Sequence, residues 1–307
     1  MKLSIVATLY KSESYIEEFC QRAALVAQQL VGDEFEIILV DDGSPDSSLS
    51  IALSQQNIYP NLSVVELSRN FGHHKAMLTG LSYADGEHIF LIDSDLEEEP
   101  EWLLDFSKEL EINNFDVVYG VQESRKGNLR ERITGKLFYK LFNLFANIEH
   151  PHNITTARLM TKDYVRSLLL FEEREVVFSC LCELTGFSQS SYIVKKHSTS
   201  PTTYSTTKKI RLLFDNLISF SSLPLEFIFY FGMLIFLTSI GISGYLLVMK
   251  LFYQQSLDGW TSIVLSIWLL GGLTFSFMGI IGMYISKVFN EIKRRPLTIV
   301  KKIHFNK

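Results

Sequence analysis

Cysteine is scarce in this chain: three in 307 residues, Cys20, Cys180 and Cys182. That is too few for a disulfide framework, and Cys180-Leu181-Cys182 has no second pair to complete a zinc site. All three are expected to be reduced and structural. Neither Gly-x-Gly-x-x-Gly nor a Walker sequence occurs, which argues against a dinucleotide or P-loop site. Lys2 runs straight into a strand pattern, without the apolar stretch and cleavage site of a secretory signal. Positive charge is thin in the first part, where residues 1–190 hold 16 Lys and Arg against 30 Asp and Glu. Negative charge is thin in the rest, where residues 191–307 hold 13 against 4. An acidic half followed by a basic, apolar half fits a soluble domain attached to an anionic membrane surface.

The first 120 residues alternate strand-like and helix-like segments. Leu3 to Leu9 is an apolar run. Ser14 to Leu30 has helical spacing through Ile16, Phe19, Ala23 and Val26. Phe35 to Val40 ends in Asp41-Asp42-Gly43-Ser44-Pro45, and Leu62 to Leu67 ends in Ser68-Arg69-Asn70-Phe71-Gly72. Ile89 to Ile92 and Val117 to Tyr119 complete the series. This alternation predicts an α/β fold with a doubly wound, mostly parallel sheet. The fourth strand closes in Asp93-Ser94-Asp95, which delivers two carboxylates to the carboxyl edge of the sheet, where such sheets bind ligands. Glu97, Glu98 and Glu99 follow at once. So much negative charge in one loop calls for a cation, and oxygen-only ligands suit Mg²⁺ or Mn²⁺, which commonly carry a diphosphate. The competing reading is an acidic helix start, with Pro100 at its first position.

Residues 121–146 change character. Arg125, Lys126, Arg130 and Arg132 form a basic cluster. Ile133, Leu137, Phe138, Leu141, Phe142 and Phe145 then recur at helical spacing. The helix expected over about 129–146 either faces a core or lies in a membrane interface. Phe227 to Met249 and Ser262 to Ile285 are free of charge over 23 and 24 residues. Both exceed the roughly 20 needed to cross a bilayer. Lys195, Lys196, Lys208, Lys209 and Arg211 precede the first, and Lys287, Lys293, Arg294, Arg295, Lys301 and Lys302 follow the second. The positive-inside rule then places both flanks and both termini in the cytoplasm and the loop Lys250 to Thr261 outside. Gly271, Gly272, Gly279 and Gly282 would permit close helix packing. The expected organisation is a cytoplasmic domain over 1–206, a juxtamembrane amphipathic helix over 207–222, two transmembrane helices within 223–287 and a basic cytoplasmic tail over 288–307.

Four blocks, in this order and spacing, resemble the family-two glycosyltransferases, and within them the polyprenol-phosphate group. They are Val40-Asp41-Asp42-Gly43-Ser44, Ser68-Arg69-Asn70-Phe71-Gly72, Asp93-Ser94-Asp95-Leu96 ending in Pro100, and Arg158-Leu159-Met160. The segment Ser219 to Leu225 leading into a two-helix hairpin is also similar. The resemblance implies a type-A nucleotide-diphospho-sugar transferase fold with a C-terminal two-helix transmembrane hairpin. It implies an inverting, membrane-anchored enzyme that moves a hexose from a nucleotide sugar, a UDP-sugar first of all, to a polyprenyl phosphate for cell-surface polysaccharide. Thr8, Tyr10, Ser12, Asp41, Asp42 and Arg69 would line the nucleotide site, with Asp42 at the base. Asp93 would approach the ribose or sugar. Asp95 and Glu97 would hold Mg²⁺ or Mn²⁺, with Glu97 in place of the family's usual Gln. Asp93, Asp95, Arg125 and Arg132 are the expected catalytic residues, and Lys126, Arg132 and Arg158 would meet the acceptor phosphate. The implied partners are the donor, the lipid and the inner membrane, with a homo-oligomer left open and no nucleic acid.

Three blocks depart from the family pattern. Its Pro-x-Tyr-Asn-Glu reads Thr8-Leu9-Tyr10-Lys11-Ser12. Its Gly-Asp-Phe-Arg reads Thr155-Thr156-Ala157-Arg158, without the acidic residue. Its Arg…Ser/Thr-Lys-Tyr reads His197…Thr202-Thr203-Tyr204, short of two cations. These changes bear on the identity of the sugar and leave a second class open, a catalytically inactive nucleotide-sugar-binding or scaffold protein. A transporter is a weaker rival, because neither apolar segment carries a charge.

Overall fold

The computed structural model describes residues 2–122, 153–173, 178–196, 223–253 and 259–305. They fall into two compact units: residues 223–253 and 259–294 form one, and the rest form the other. The amphipathic segments 129–146 and 207–222 lie outside the described residues.

The larger unit is an eight-stranded sheet. Its strands are β1 Leu3–Leu9, β2 Phe35–Asp41, β3 Leu62–Leu67, β4 His88–Asp93, β5 Val117–Gln122, β6 Ile154–Thr161, β7 Gln189–Val194 and β8 Val300–His304. They lie in the order β7-β5-β6-β4-β1-β2-β3-β8. β1 pairs in parallel with both β2 and β4, and β2 with β3. β6 and β8 are the antiparallel members. Every residue of β1 is buried, and every residue of β2 but Glu36. Helices cover both faces, so these strands can be apolar throughout rather than alternating.

One face carries α1 Ile16–Val31, α2 Ser48–Gln55 and α4 Trp102–Asn113; the other carries α3 His73–Ser82, α5 Lys162–Leu168 and α6 Phe178–Leu184. In α1 the buried residues Ile16, Phe19, Cys20, Ala23, Val26 and Ala27 recur at three- and four-residue spacing, the stripe that fixes which side meets the sheet. α4 ends on Asn114 in the left-handed region, whose N–H bonds the Leu110 carbonyl, a common helix stop. The acidic run precedes α4 rather than starting it: Pro100 lies in the turn before Trp102, and the only acid of the first turn is Asp105. All three cysteines are free and buried, as expected.

The segment read from sequence as part of a basic tail instead supplies β8. It pairs with β3 at the sheet edge, where Lys301 and His304 reach Glu66 at 2.5 and 3.2 Å. The Thr298 and Thr79 hydroxyls meet at 2.7 Å, and Ser68 N donates to the Ile299 carbonyl.

The smaller unit is two long helices, α7 Leu223–Tyr253 and α8 Trp260–Ile292, which contain the two predicted spans. Phe227, Phe229, Tyr230, Leu234, Phe275, Ile285 and Phe289 are exposed on them. Among the described residues one stretch, Leu270–Ile292, is long and apolar enough to cross a membrane by length and composition. Phe231 and Phe277 meet edge to face at 6.1 Å. A Cβ at Gly271, Gly272, Gly279 or Gly282 would meet no described atom within 4 Å.

Candidate active site

Strand order reverses at β1: β2 and β3 lie on one side, and β4 on the other. A crevice at the carboxyl ends of the strands opens at such a switch point. Register puts Thr8 opposite both Val40 and Asp93, and Leu9 opposite Asp41. Thr8, Asp41 and Asp93 therefore reach the same edge from three strands.

The β2 side is braced by backbone. The Asp42 carboxylate accepts Phe71 N at 2.7 Å and Gly72 N at 3.0 Å, tying the end of β2 to the loop that starts α3. Gly43, at φ 63°, completes the junction, since a Cβ there would lie 2.5 Å from the Arg69 carbonyl carbon. Burial raises the Asp42 pKa against those two hydrogen bonds and the charges of His73 and Arg69. Burial likewise raises Asp41, whose contacts to Ser44 N are long, at 3.4 Å. The Arg69 guanidinium stacks 4.2 Å over Phe71 and donates to the Asn70 carbonyl.

On the β1 side, the Ser12 hydroxyl accepts Tyr10 N at 3.2 Å and lies 3.3 Å from the Ser94 hydroxyl, which donates to the Thr8 carbonyl. Lys11 sits at φ 57°, and the Tyr10 ring is left 48% exposed at the edge. The three residues read as nucleotide-lining thus surround the end of β1, with Tyr10 the open one.

The β4 side gathers the acids. Asp93 Oδ2 accepts the Thr156 hydroxyl from β6 at 2.8 Å. Asp93 Oδ1 lies 3.2 Å from His73 Nε2 but out of line for a hydrogen bond, and so is a buried oxygen without a partner. Burial works against charge on Asp93, but His73, Thr156 and Lys196 together hold its pKa below the usual carboxylate range. Asp95 Oδ1 accepts Glu97 N across Leu96, which is held at φ 57°, a strained backbone for a residue with a side chain. Burial raises Asp95, and the Asp93 charge adds to it. Glu97 lies 3.3 Å from Lys196 Nζ. Glu98 is fully buried and splits its carboxylate between Thr156 N at 3.0 Å and Ala157 N at 2.7 Å, with Lys196 at 3.5 Å. Burial and the nearby Asp93 charge push Glu98 upward.

Among the described residues no three His, Cys, Asp or Glu side chains gather into a metal cage. A small hard divalent ion shared with a diphosphate needs only one or two protein carboxylates. Asp95, with one oxygen uncommitted, fits that demand, and the all-oxygen chemistry of the loop fits Mg²⁺ or Mn²⁺.

Of the remaining expected residues, Arg158 is buried rather than open. Its guanidinium contacts the Cys182 sulfur at 2.7 Å, stacks on Phe178 at 4.7 Å and donates to the carbonyls of Thr155 and Thr156. Arg125, Lys126 and Arg132 lie outside the described residues. Sequence reasoning did not single out His73 or Lys196 for the site; it named Glu98 only within the acidic run and Thr156 only as a departure from the family pattern. His73 directly follows the Ser68–Gly72 block, which is the one signal that could have drawn attention to it.

An α/β sheet with an acidic strand end at its switch point is the architecture of a type-A nucleotide-diphospho-sugar transferase. The chain belongs to glycosyl transferase family 2, whose family model matches residues 4–169. It is 46% identical over 304 residues, 99% of this chain and 89% of the other, to a Mycobacterium tuberculosis protein named among glycosyltransferases. It is 27% identical over 306 residues, 99% of both chains, to a prophage bactoprenol glucosyl transferase homolog of Escherichia coli (strain K12). The fold is shared with a mannosyltransferase of Pyrobaculum calidifontis, solved with GDP-Man and Mn²⁺, at TM-score 0.50 and 16% identity over 95% of this chain and 86% of that one.

Proposed function

We propose that this glycosyltransferase moves a hexosyl group from a UDP-sugar to a polyprenyl phosphate, with inversion at the anomeric carbon. The observation that carries the reading is Asp93. It sits at the switch point beside Asp95, its pKa held below the usual carboxylate range, with one buried oxygen lacking an aligned donor. A hydroxyl of the ribose or sugar would supply that donor. End-to-end similarity to a bactoprenol glucosyl transferase homolog supports the lipid acceptor.

The nucleophile explains the economy of the site. A phosphate monoester is largely ionised at neutral pH, so its oxygen attacks C1 without a general base. The C1–O bond to the diphosphate breaks, and the electron pair leaves with the nucleotide. Placement in line and stabilisation of the leaving charge are what remain. A bound Mg²⁺ or Mn²⁺ at Asp95, with Glu97, would act as a Lewis acid on the diphosphate. Arg125, Lys126 and Arg132 are proposed to neutralise the two phosphates that meet, Arg132 at the lipid side. Thr156, where the family has an acid, instead holds Asp93 with its hydroxyl.

The membrane reading follows from α7 and α8. Both would span the inner membrane, with the catalytic unit and both termini in the cytoplasm, as the Lys and Arg flanks suggest. The test is to incubate membranes containing the protein with a panel of UDP- and GDP-sugars and undecaprenyl phosphate. A glycosylated lipid formed from one donor and absent from empty membranes supports the proposal. Nucleotide binding with no transfer from any donor would instead support the inactive binding protein.

A further inference from the structure

His73 opens α3 directly after Gly72, whose N–H is held by Asp42. Its ring spans two strand ends, with Nδ1 3.0 Å from the Thr8 hydroxyl and Nε2 3.2 Å from Asp93 Oδ1. We propose that His73 is a positioning residue for the transfer. Anchored on Thr8 through Nδ1, it places Nε2 beside Asp93 Oδ1 and keeps that carboxylate aimed at the donor sugar. The inference rests on the transferase reading above.

Three observations support it. First, the ring bridges two strand ends, with Nδ1 at the β1 Thr8 hydroxyl and Nε2 at the β4 Asp93 carboxylate. His73 is the group in contact, and Lys196 acts from farther away. Second, Asp93 has its Oδ2 fixed by Thr156 and its Oδ1 without an aligned donor, so a small rotation of the imidazole settles which way the carboxylate points. The His73 side chain is 44% exposed. Third, the electrostatics favour the pair. Desolvation opposes charge on the imidazole, yet Asp93, with Glu98 and Asp42 behind it, raises its pKa above the ordinary histidine value. The other ionisable ring beside it is His74, at 5.8 Å. The N-terminal end of α3 disfavours a cation, so the carboxylates must outweigh the helix dipole.

The two ring nitrogens can be tested separately in the full-length protein. The amide nitrogen of glutamine reaches about as far as Nε2, and that of asparagine about as far as Nδ1. His73→Asn should lower kcat about 10- to 100-fold, the range for losing a hydrogen bond to a charged group, with donor KM within about threefold. His73→Gln should recover most of that loss. Equal impairment of the two variants, or a loss confined to donor KM, would overturn the proposal.

A second measurement does not depend on turnover. The His73 titration, followed by NMR on ring-labelled protein, should shift to lower pH in Asp93→Asn, and an unchanged midpoint would overturn the pairing. If the unaltered protein transfers no sugar while this shift is present, the transferase reading fails and the pairing stands.

Discussion

Asp42 and Asp93, at strand ends on either side of β1, are partnered differently. On the β2–β3–β8 side Asp42 is held by two backbone N–H groups, and Glu66 by Lys301 and His304. On the β4 side Asp93 keeps a buried oxygen without an aligned donor, and Asp95 uses one oxygen on Glu97 N. An acid that is fully partnered holds the frame. An acid left short of a partner is where a ligand gains most by arriving, since a buried unpaired oxygen is costly. A strand-end aspartate therefore declares its role by its hydrogen bonds and not by its position alone.

The largest expected effect breaks the β4 side. Asp95→Asn should lower turnover by at least about 100-fold, comparable to losing a principal stabiliser of developing charge. Its thermal midpoint should stay near that of the parent, because Asp95 braces little. Near-normal turnover, or full activity in EDTA, would remove the metal from Asp95.

The next breaks the β2 side. Asp42→Asn sets an amide NH₂ against two backbone donors, so at least one loses its acceptor. A stability loss of about 1–3 kcal/mol should appear in denaturant unfolding, with weaker UDP binding accompanying it. Weaker UDP binding at unchanged stability would make Asp42 a base contact first and a brace second.

The smallest sharpens the contrast by pH. Lys301, against desolvation and together with His304, holds the Glu66 pKa below its ordinary value. A depressed acid contributes stability above its unfolded pKa and loses it as pH falls through the folded one. Glu66→Gln should therefore cost less than about 1 kcal/mol at neutral pH, as partly exposed ion pairs do, and the two proteins should converge in acid. A gap that persists below the folded pKa would show that shape, not charge, joins β8 to β3.

The pattern of what sequence revealed follows from the same physics. β1 to β4 were legible because strands covered on both faces are nearly continuous apolar runs. β7, Gln-Ser-Ser-Tyr-Ile-Val, is half polar, and β8 carries Lys301 and Lys302, the kind of residues that keep an edge strand from pairing further. Neither stands out from a loop or a tail. In the site, Asp93 and Asp95 were legible because they close a buried run. Glu98 looks like its neighbours Glu97 and Glu99, and only the antiparallel approach of β6, 58 residues on, turns it inward. Thr156 looked like the loss of an acid until β6 brought its hydroxyl to Asp93.

β8 also bears on how the catalytic part could be isolated. A recombinant fragment stopped at residue 206, the boundary hydropathy suggests, would discard β8 and leave the hydrogen-bonding rim of β3 bare. It would also strip Glu66 of both cations and Ser68 N of its acceptor. Open rims of this kind recruit other chains, so such a fragment should aggregate even though its own strands are intact. Retaining residues 295–305, or supplying them as a separate peptide, is the remedy the topology suggests.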